Sequence, residues 1–189
     1  MSKKQNTRES IIHTAKYLFQ IQGYHATGIN QIIKDSGAPK GSLYYHFPNG
    51  KEEIAIAAID SVKNEVKEEV QLLLSSYEDP VEAIQAQFLH VASKVLNDQQ
   101  VEFRIGLIAS ESVSTSENIR EACKSAYHEW MSLISDYLVQ KGYSRESAEQ
   151  TAALVYILME GAMTMSITYQ DVSFFKMLAE KTPYILKNT

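Results

Sequence analysis

The stretch that decides the fold is Gly37-Ala38-Pro39-Lys40-Gly41-Ser42-Leu43-Tyr44-Tyr45-His46-Phe47-Pro48-Asn49-Gly50-Lys51. Gly37 is a helix stop, and Pro39 sits where the first turn of a helix tolerates proline. The spacing predicts a brief helix over about residues 39–45, closed by the strong turn signal Phe47-Pro48-Asn49-Gly50. Gly41 and Ser42 are small enough to let such a helix approach base edges closely. Ser42 and Lys40 can hydrogen-bond to bases, and Tyr45 can add an apolar or hydroxyl contact. Tyr44, His46 and Lys51 carry donors suited to phosphate oxygens, contacts that fix register without reading sequence.

Upstream, Thr27 is expected to cap a short helix that turns Ile29, Ile32 and Ile33 inward and stops at Gly37. Thr27 and the amides at that helix start can serve another phosphate. Before it, Thr7 can cap a helix running to about Gln22, with Ile11, Ile12, Ala15, Leu18 and Phe19 on one stripe and Gly23 at its end. Three short helices with a tight glycine-containing turn between the second and third fit the helix-turn-helix plan, in which the third element enters the major groove of DNA.

Charge agrees with that assignment. The net charge is −5, yet residues 1–51 balance at +5 and the remainder at −10. A basic head on an acidic body is the electrostatic footprint of a nucleic-acid-binding module attached to a domain with another task.

Downstream the chain continues as helices. Ala55, Ile59, Val62, Val66, Val70 and Leu73 step by threes and fours, so Lys51 to about Ser75 reads as one connecting helix, roughly 37 Å long. Asp79-Pro80 caps a helix to about Leu96, and residues 103–109 read as a further short one before a serine-rich loop to Ser116. Ile119 to Tyr137 marks an amphipathic helix ending near Gly142; Ser144 to about Thr168 follows, and Asp171 can cap a last helix with Phe174, Phe175, Leu178 and Ile185 inward. With few glycines and prolines and no alternating strand pattern, the expectation is an all-α chain of about nine helices. It divides into a helix-turn-helix domain over residues 1–50 and a ligand-binding and dimerisation domain over 51–189. Hydrophobic residues at 44% and charged residues at 22% are ordinary for a globular protein. Cys123 is the one cysteine, so no internal disulfide forms. The polar start is unlike a signal peptide, and no stretch reads as the roughly 18 apolar residues needed to cross a bilayer. Cytoplasmic location and no membrane partner are expected.

Residues 8–54 resemble the DNA-binding domain of the TetR family of regulators. The resemblance runs through Gly23-Tyr24, Thr27, Ile32, Gly37, Lys40 to Phe47 and Lys51-Glu52-Glu53-Ile54. It implies phosphate contacts from Thr27, Tyr44, His46 and Lys51, and base-facing positions at Asn30, Lys40, Gly41, Ser42 and Tyr45. Pro39 departs from the family's usual Ser or Thr cap, which can reset the start of the recognition helix. Ala38-Pro39-Lys40-Gly41-Ser42, Phe47 to Lys51 and Met159-Glu160-Gly161-Ala162 are similar to the LmrA/YxaF-type subgroup, whose members respond to drugs or flavonoids. That implies a homodimeric repressor that leaves a pseudo-palindromic operator in double-stranded DNA when a small molecule binds.

Residues 152–165 hold one charge, Glu160, and are apolar nearly all round, so this helix is expected to be buried on both sides. The expected dimer surface is Val155, Leu158, Gly161, Ala162, Met165 and Phe175, from this helix and the last one. An effector cavity for a small hydrophobic or aromatic molecule is expected from Phe88, Phe103, Leu107, Tyr127, Trp130, Met131, Met159 and Met163, because aromatics and flexible methionines line adaptable cavities. His90, His128 and Glu160 are candidate polar partners. An activator, a ligand-independent regulator and a helical enzyme are the alternatives. The sequence lacks a Gly-rich phosphate loop, G-x-S-x-G and H-E-x-x-H, so no enzyme activity, metal site or cofactor is expected.

Overall fold

The hydrophobic spacings close into helices in the structure, a computed structural model that describes residues 3–96, 104–112 and 116–187, with side chains from residue 7 onward. Among the described residues there are nine helices and no strand: α1 Lys3–Ala26, α2 Ile29–Ser36, α3 Lys40–His46, α4 Lys51–Ser75, α5 Pro80–Val95, α6 Ile105–Ser112, α7 Glu117–Gln140, α8 Arg145–Tyr169 and α9 Ser173–Lys187. They form two compact units, Met1–Asn64 with Phe103–Ala126, and Glu65–Glu102 with Tyr127–Thr189. The units draw on both halves of α4 and α7, where the sequence alone suggested a division at residue 50.

In the N-terminal unit α1 is the organising element, packing on α2, α3 and α6. Its stripe of Ile11, Ala15 and Phe19 is buried, as are Ile32 of α2, Leu43 of α3, Phe47, Ile54 and Ala58 of α4, and Ile105 and Ile108 of α6. Gly23 interrupts α1 with φ 83 and ψ 167, a left-handed geometry that a side chain resists. Thr27 does not cap α2; Gly28 occupies that position without a side-chain bond. The Thr27 hydroxyl instead donates to the Gly23 carbonyl at 2.7 Å, inside the unit.

The C-terminal unit rests on α5, α8 and α9 packed together. Asp79 caps α5 by accepting from the Val81 amide at 2.7 Å, Ser144 caps α8 through the Ser147 amide at 3.1 Å, and Asp171 accepts from the Ser173 amide at 2.9 Å ahead of α9. Pro183 lies inside α9 and has no N–H for the carbonyl of Ala179 one turn back. That carbonyl accepts from Gln85 Nε2 of α5 instead, at 2.9 Å.

Four expectations shift here. Leu74 rather than Leu73 is the buried residue near the end of α4, and in α9 Phe175, Leu178, Ala179, Thr182 and Leu186 point inward while Phe174 and Ile185 are half-buried. Serines 110 and 112 extend α6 instead of opening a loop. Helix α8 is, by length and composition, long and apolar enough to cross a membrane, which the reading of the sequence did not anticipate. In this structure it carries Glu160 and packs on α5 and α9.

Candidate nucleic-acid interface

Helix α3 has only seven residues, far too short to be stable alone, so its neighbours must hold it. Leu43 and Phe47 are its anchors, 0% and 1% exposed, and Ala38 is buried beneath the turn before it. The turn itself is braced. Gly37 takes φ 67, the Ser36 hydroxyl accepts from the Ala38 amide at 3.3 Å, and Ser10 of α1 donates to the Ser36 carbonyl at 3.1 Å. Pro39 precedes α3 without a side-chain cap, and the amides of Ser42 and Leu43 donate to its carbonyl at 2.9 and 3.1 Å. Proline therefore starts this helix through its fixed φ and its carbonyl, where a hydroxyl cap would act through a side chain.

With its apolar side fixed, α3 offers the opposite side to solvent. Lys40 and Gly41 are exposed, Ser42 is half-buried, and Tyr44 and Tyr45 are 42% and 68% exposed. A side chain at Gly41 would meet nothing within 4 Å, so packing within the protomer does not require glycine there. His46 is half-buried and stands edge-on to Tyr45, ring centres 5.1 Å apart. Asn30 is exposed in the first turn of α2.

The Thr27 hydroxyl and the Lys51 ammonium are held by protein partners. Thr27 is fully buried, and its hydroxyl also accepts from Gln22 Nε2 at 3.2 Å; only the backbone nearby could serve a phosphate. Lys51 donates from Nζ to the Tyr24 carbonyl at 3.0 Å and lies 4.3 Å above the Tyr24 ring. Burial pushes the Lys51 ammonium below its ordinary pKa, an effect opposed by the charge of Glu111. One lysine N–H thus fixes the side chain and leaves the others to point elsewhere.

Glu111 has no local sequence signal that would single it out. Its Oε2 accepts from the amides of Tyr24 at 2.5 Å and His25 at 3.3 Å, and its own carbonyl lies 2.9 Å from His25 Nε2. A separation of 87 residues hides such a pairing from any local pattern.

The nominated cavity residues divide. Phe103 lies outside the described residues, and Leu107 is half-buried on α6 in the N-terminal unit. Phe88, Trp130 and Met159 are buried in the C-terminal unit, and Tyr127, Met131 and Met163 are half-buried there. The aromatic group is larger than expected. Tyr156 stacks on Trp130 with ring centres 6.1 Å apart at 17°, and Tyr127 meets Trp130 edge-on at 5.8 Å. The Tyr127 hydroxyl donates to Glu160 Oε1 at 2.6 Å. Tyr156 Oη and Gln87 Oε1 are buried without a hydrogen-bond partner among the described residues. Burial, with Glu160's charge adding to it, drives the Tyr156 phenol far above its ordinary pKa, so it stays a neutral hydroxyl. His90 lies 3.3 Å from Glu69 and His128 is exposed on α7, so a tyrosine rather than a histidine partners Glu160.

The nominated dimer residues also divide. Val155, Ala162 and Phe175 are 0%, 6% and 0% exposed, inside the protomer's own core, and Leu158 is half-buried. Gly161 and Met165 are exposed, beside Leu154 and Ile157 on the same side of α8.

The comparisons agree with this anatomy. Residues 11–58 match the bacterial regulatory proteins of the tetR family, and residues 80–181 match the LmrA/YxaF-like C-terminal domain of transcriptional regulators. The chain is 40% identical over 188 residues to the HTH-type transcriptional regulator YxaF of Bacillus subtilis, covering 99% of this chain and 98% of that one. It is 39% identical over 183 residues to LmrA of the same organism, covering 96% and 97%. Among solved structures, a TetR transcriptional regulator from Chloroflexus aurantiacus superposes with a TM-score of 0.81 at 26% identity, covering 99% and 96% of the two chains. One from Legionella pneumophila shares the fold with a TM-score of 0.82 at 24% identity, covering 97% of each. These relatives are regulators and not enzymes. The chain belongs to the TetR family of DNA-binding transcriptional regulators, with a C-terminal domain of the LmrA/YxaF-like kind.

Proposed function

We propose that this regulator is a homodimeric, ligand-responsive repressor acting in the cytoplasm. Residues 1–50 grip a pseudo-palindromic operator, and residues 51–189 dimerise and bind a small aromatic effector that releases it. The observation that carries the ligand reading is Tyr156 Oη, buried and without a hydrogen-bond partner among the described residues, beside the Trp130 stack and the Tyr127–Glu160 pair. A native core leaves few polar groups unsatisfied, and a bound molecule would supply the missing partner. The surrounding rings suit a planar aromatic guest.

Trp130 is the one tryptophan, so intrinsic fluorescence reports on this cluster directly. Trp130→Ala is expected to leave operator affinity within about threefold while weakening effector release at least tenfold, since it removes most of one stacking wall. Parallel loss of both would mean that the cluster is plain core.

The dimer reading rests on Leu154, Ile157, Gly161 and Met165, which repeat at spacings of three and four on the exposed side of α8. Two copies of such a face, with α9 beside each, can make a four-helix interface about a two-fold axis. Each head then supplies Asn30, Lys40, Gly41, Ser42 and Tyr45 to bases and Tyr44, His46 and Lys51 to the phosphate backbone. With three or four phosphates neutralised per protomer, log affinity is expected to fall against log salt with a slope of about −5 to −7. Anisotropy titrations from low to moderate salt measure it, using the duplex recovered by selecting bound fragments from the source genome. A flat line would remove the phosphate contacts from the reading.

Release is a population shift: the effector favours a state in which α4 tilts and the paired recognition helices miss successive grooves. A 100-fold loss of operator affinity needs a preference of about 2.7 kcal/mol.

A further inference from the structure

We infer that Glu111 is a positioning residue for DNA binding: its carboxylate, seated on the amides of Tyr24 and His25, sets the segment that leads into α2 and carries Lys51. This rests on the DNA-binding head alone and stands whether or not an effector exists.

The geometry is specific. After the break at Gly23 the chain resumes a helical turn, whose leading N–H groups have no carbonyl behind them. Glu111 Oε2 takes two of these, at 2.5 and 3.3 Å, and a carboxylate is the acceptor such an end prefers. Gly23 makes room for it. A Cβ there would stand 2.3 Å from Glu111 Oε1, so the missing side chain and the left-handed backbone serve one contact.

Tyr24 is then held from both sides. Its N–H is fixed by Glu111, and its carbonyl and ring carry Lys51 at 3.0 and 4.3 Å. Thr27 Oγ1 anchors to the Gly23 carbonyl at 2.7 Å, and Gln22 Nε2 reaches both Thr27 and Gln31 Oε1, the latter at 2.9 Å. One carboxylate on α6 therefore fixes the peptide from which the start of α2 and the Lys51 ammonium take their places. The residue before α6 is tied to α1 as well: the Arg104 amide donates to Gln20 Oε1 at 2.7 Å.

Two substitutions in the full-length protein separate reach from charge. Glu111→Gln keeps length and a carbonyl acceptor but loses the charge. Glu111→Asp keeps the charge and falls one methylene short of the two amides. Affinity for the genome-selected duplex is read by anisotropy, and amide exchange is read residue by residue. Glu111→Asp is expected to weaken binding about tenfold, with faster exchange at Tyr24 and His25 and unchanged protection at Ile32 and Leu43; Glu111→Gln stays within about threefold of the parent. The inference is overturned if Glu111→Asp binds like the parent or at least as well as Glu111→Gln. It is equally overturned if protection at Ile32 and Leu43 is lost with affinity, because Glu111 would then only support the fold.

Discussion

Ile157→Arg is expected to yield a monomer at micromolar concentration and to weaken operator binding by roughly 10²- to 10⁴-fold, the range over which linked sites gain from acting together. Ile157 is 68% exposed in the protomer, on the same side of α8 as Leu154 and Met165. Arginine at this position costs the isolated chain little. In the proposed two-fold dimer it would place two guanidinium groups in a closely packed apolar contact, where an uncompensated buried charge costs about 3–5 kcal/mol. Helical content should stay at the parent level, and sedimentation should show the loss of the dimer. The control is Val155→Arg, which strikes the protomer's core and should unfold the C-terminal unit. Dimers that persist with Ile157→Arg would move the interface off this side of α8.

Phe47→Ala tests the opposite end. Phe47 is 1% exposed, its amide closes α3 by donating to the Leu43 carbonyl at 2.8 Å, and the Arg8 guanidinium lies 5.4 Å from its ring centre. Deleting a buried phenylalanine costs about 3–5 kcal/mol, a large share of the stability of a small unit. Amide exchange should show α2 and α3 opening, and operator binding should fall below detection while sedimentation still shows the dimer. Tyr45→Ala is the complement. At 68% exposure its loss should leave exchange unchanged and weaken binding by about tenfold, near the value of one base contact. A Phe47→Ala protein that bound the operator normally would show that α3 does not depend on the core beneath it.

The head was legible because its signals are local. Gly23, Gly37, Pro39 and the apolar steps from Ile11 to Phe47 each act within a few residues of their own position, and helix type and order followed from them. The errors arise where a residue's role depends on distant partners. Thr27 looks like a cap in sequence, yet its hydroxyl turns inward to the Gly23 carbonyl at the break in α1. Glu111 carries no local pattern at all. Helix α8 fails for a different reason: a segment apolar nearly all round announces burial on several sides without giving its rotational phase. Val155 and Ala162 were accordingly assigned to a partner, whereas they face the protomer's core and their neighbours Leu154, Ile157 and Gly161 face out. Tyr156 escaped notice because a tyrosine in an apolar run looks like packing until its hydroxyl is found without a hydrogen-bond partner among the described residues.

The Gln85–Ala179 bond opposite Pro183 acts as a ratchet tooth. A proline in mid-helix bares one carbonyl at one level of α9, and a single amide on α5 fits it. Sliding α9 by one turn, about 5.4 Å, would strand both the carbonyl and the glutamine in an apolar contact. Axial slippage of the last helix is therefore penalised at a discrete step, and its register on α5 is set by this pair as much as by the shape of its leucines.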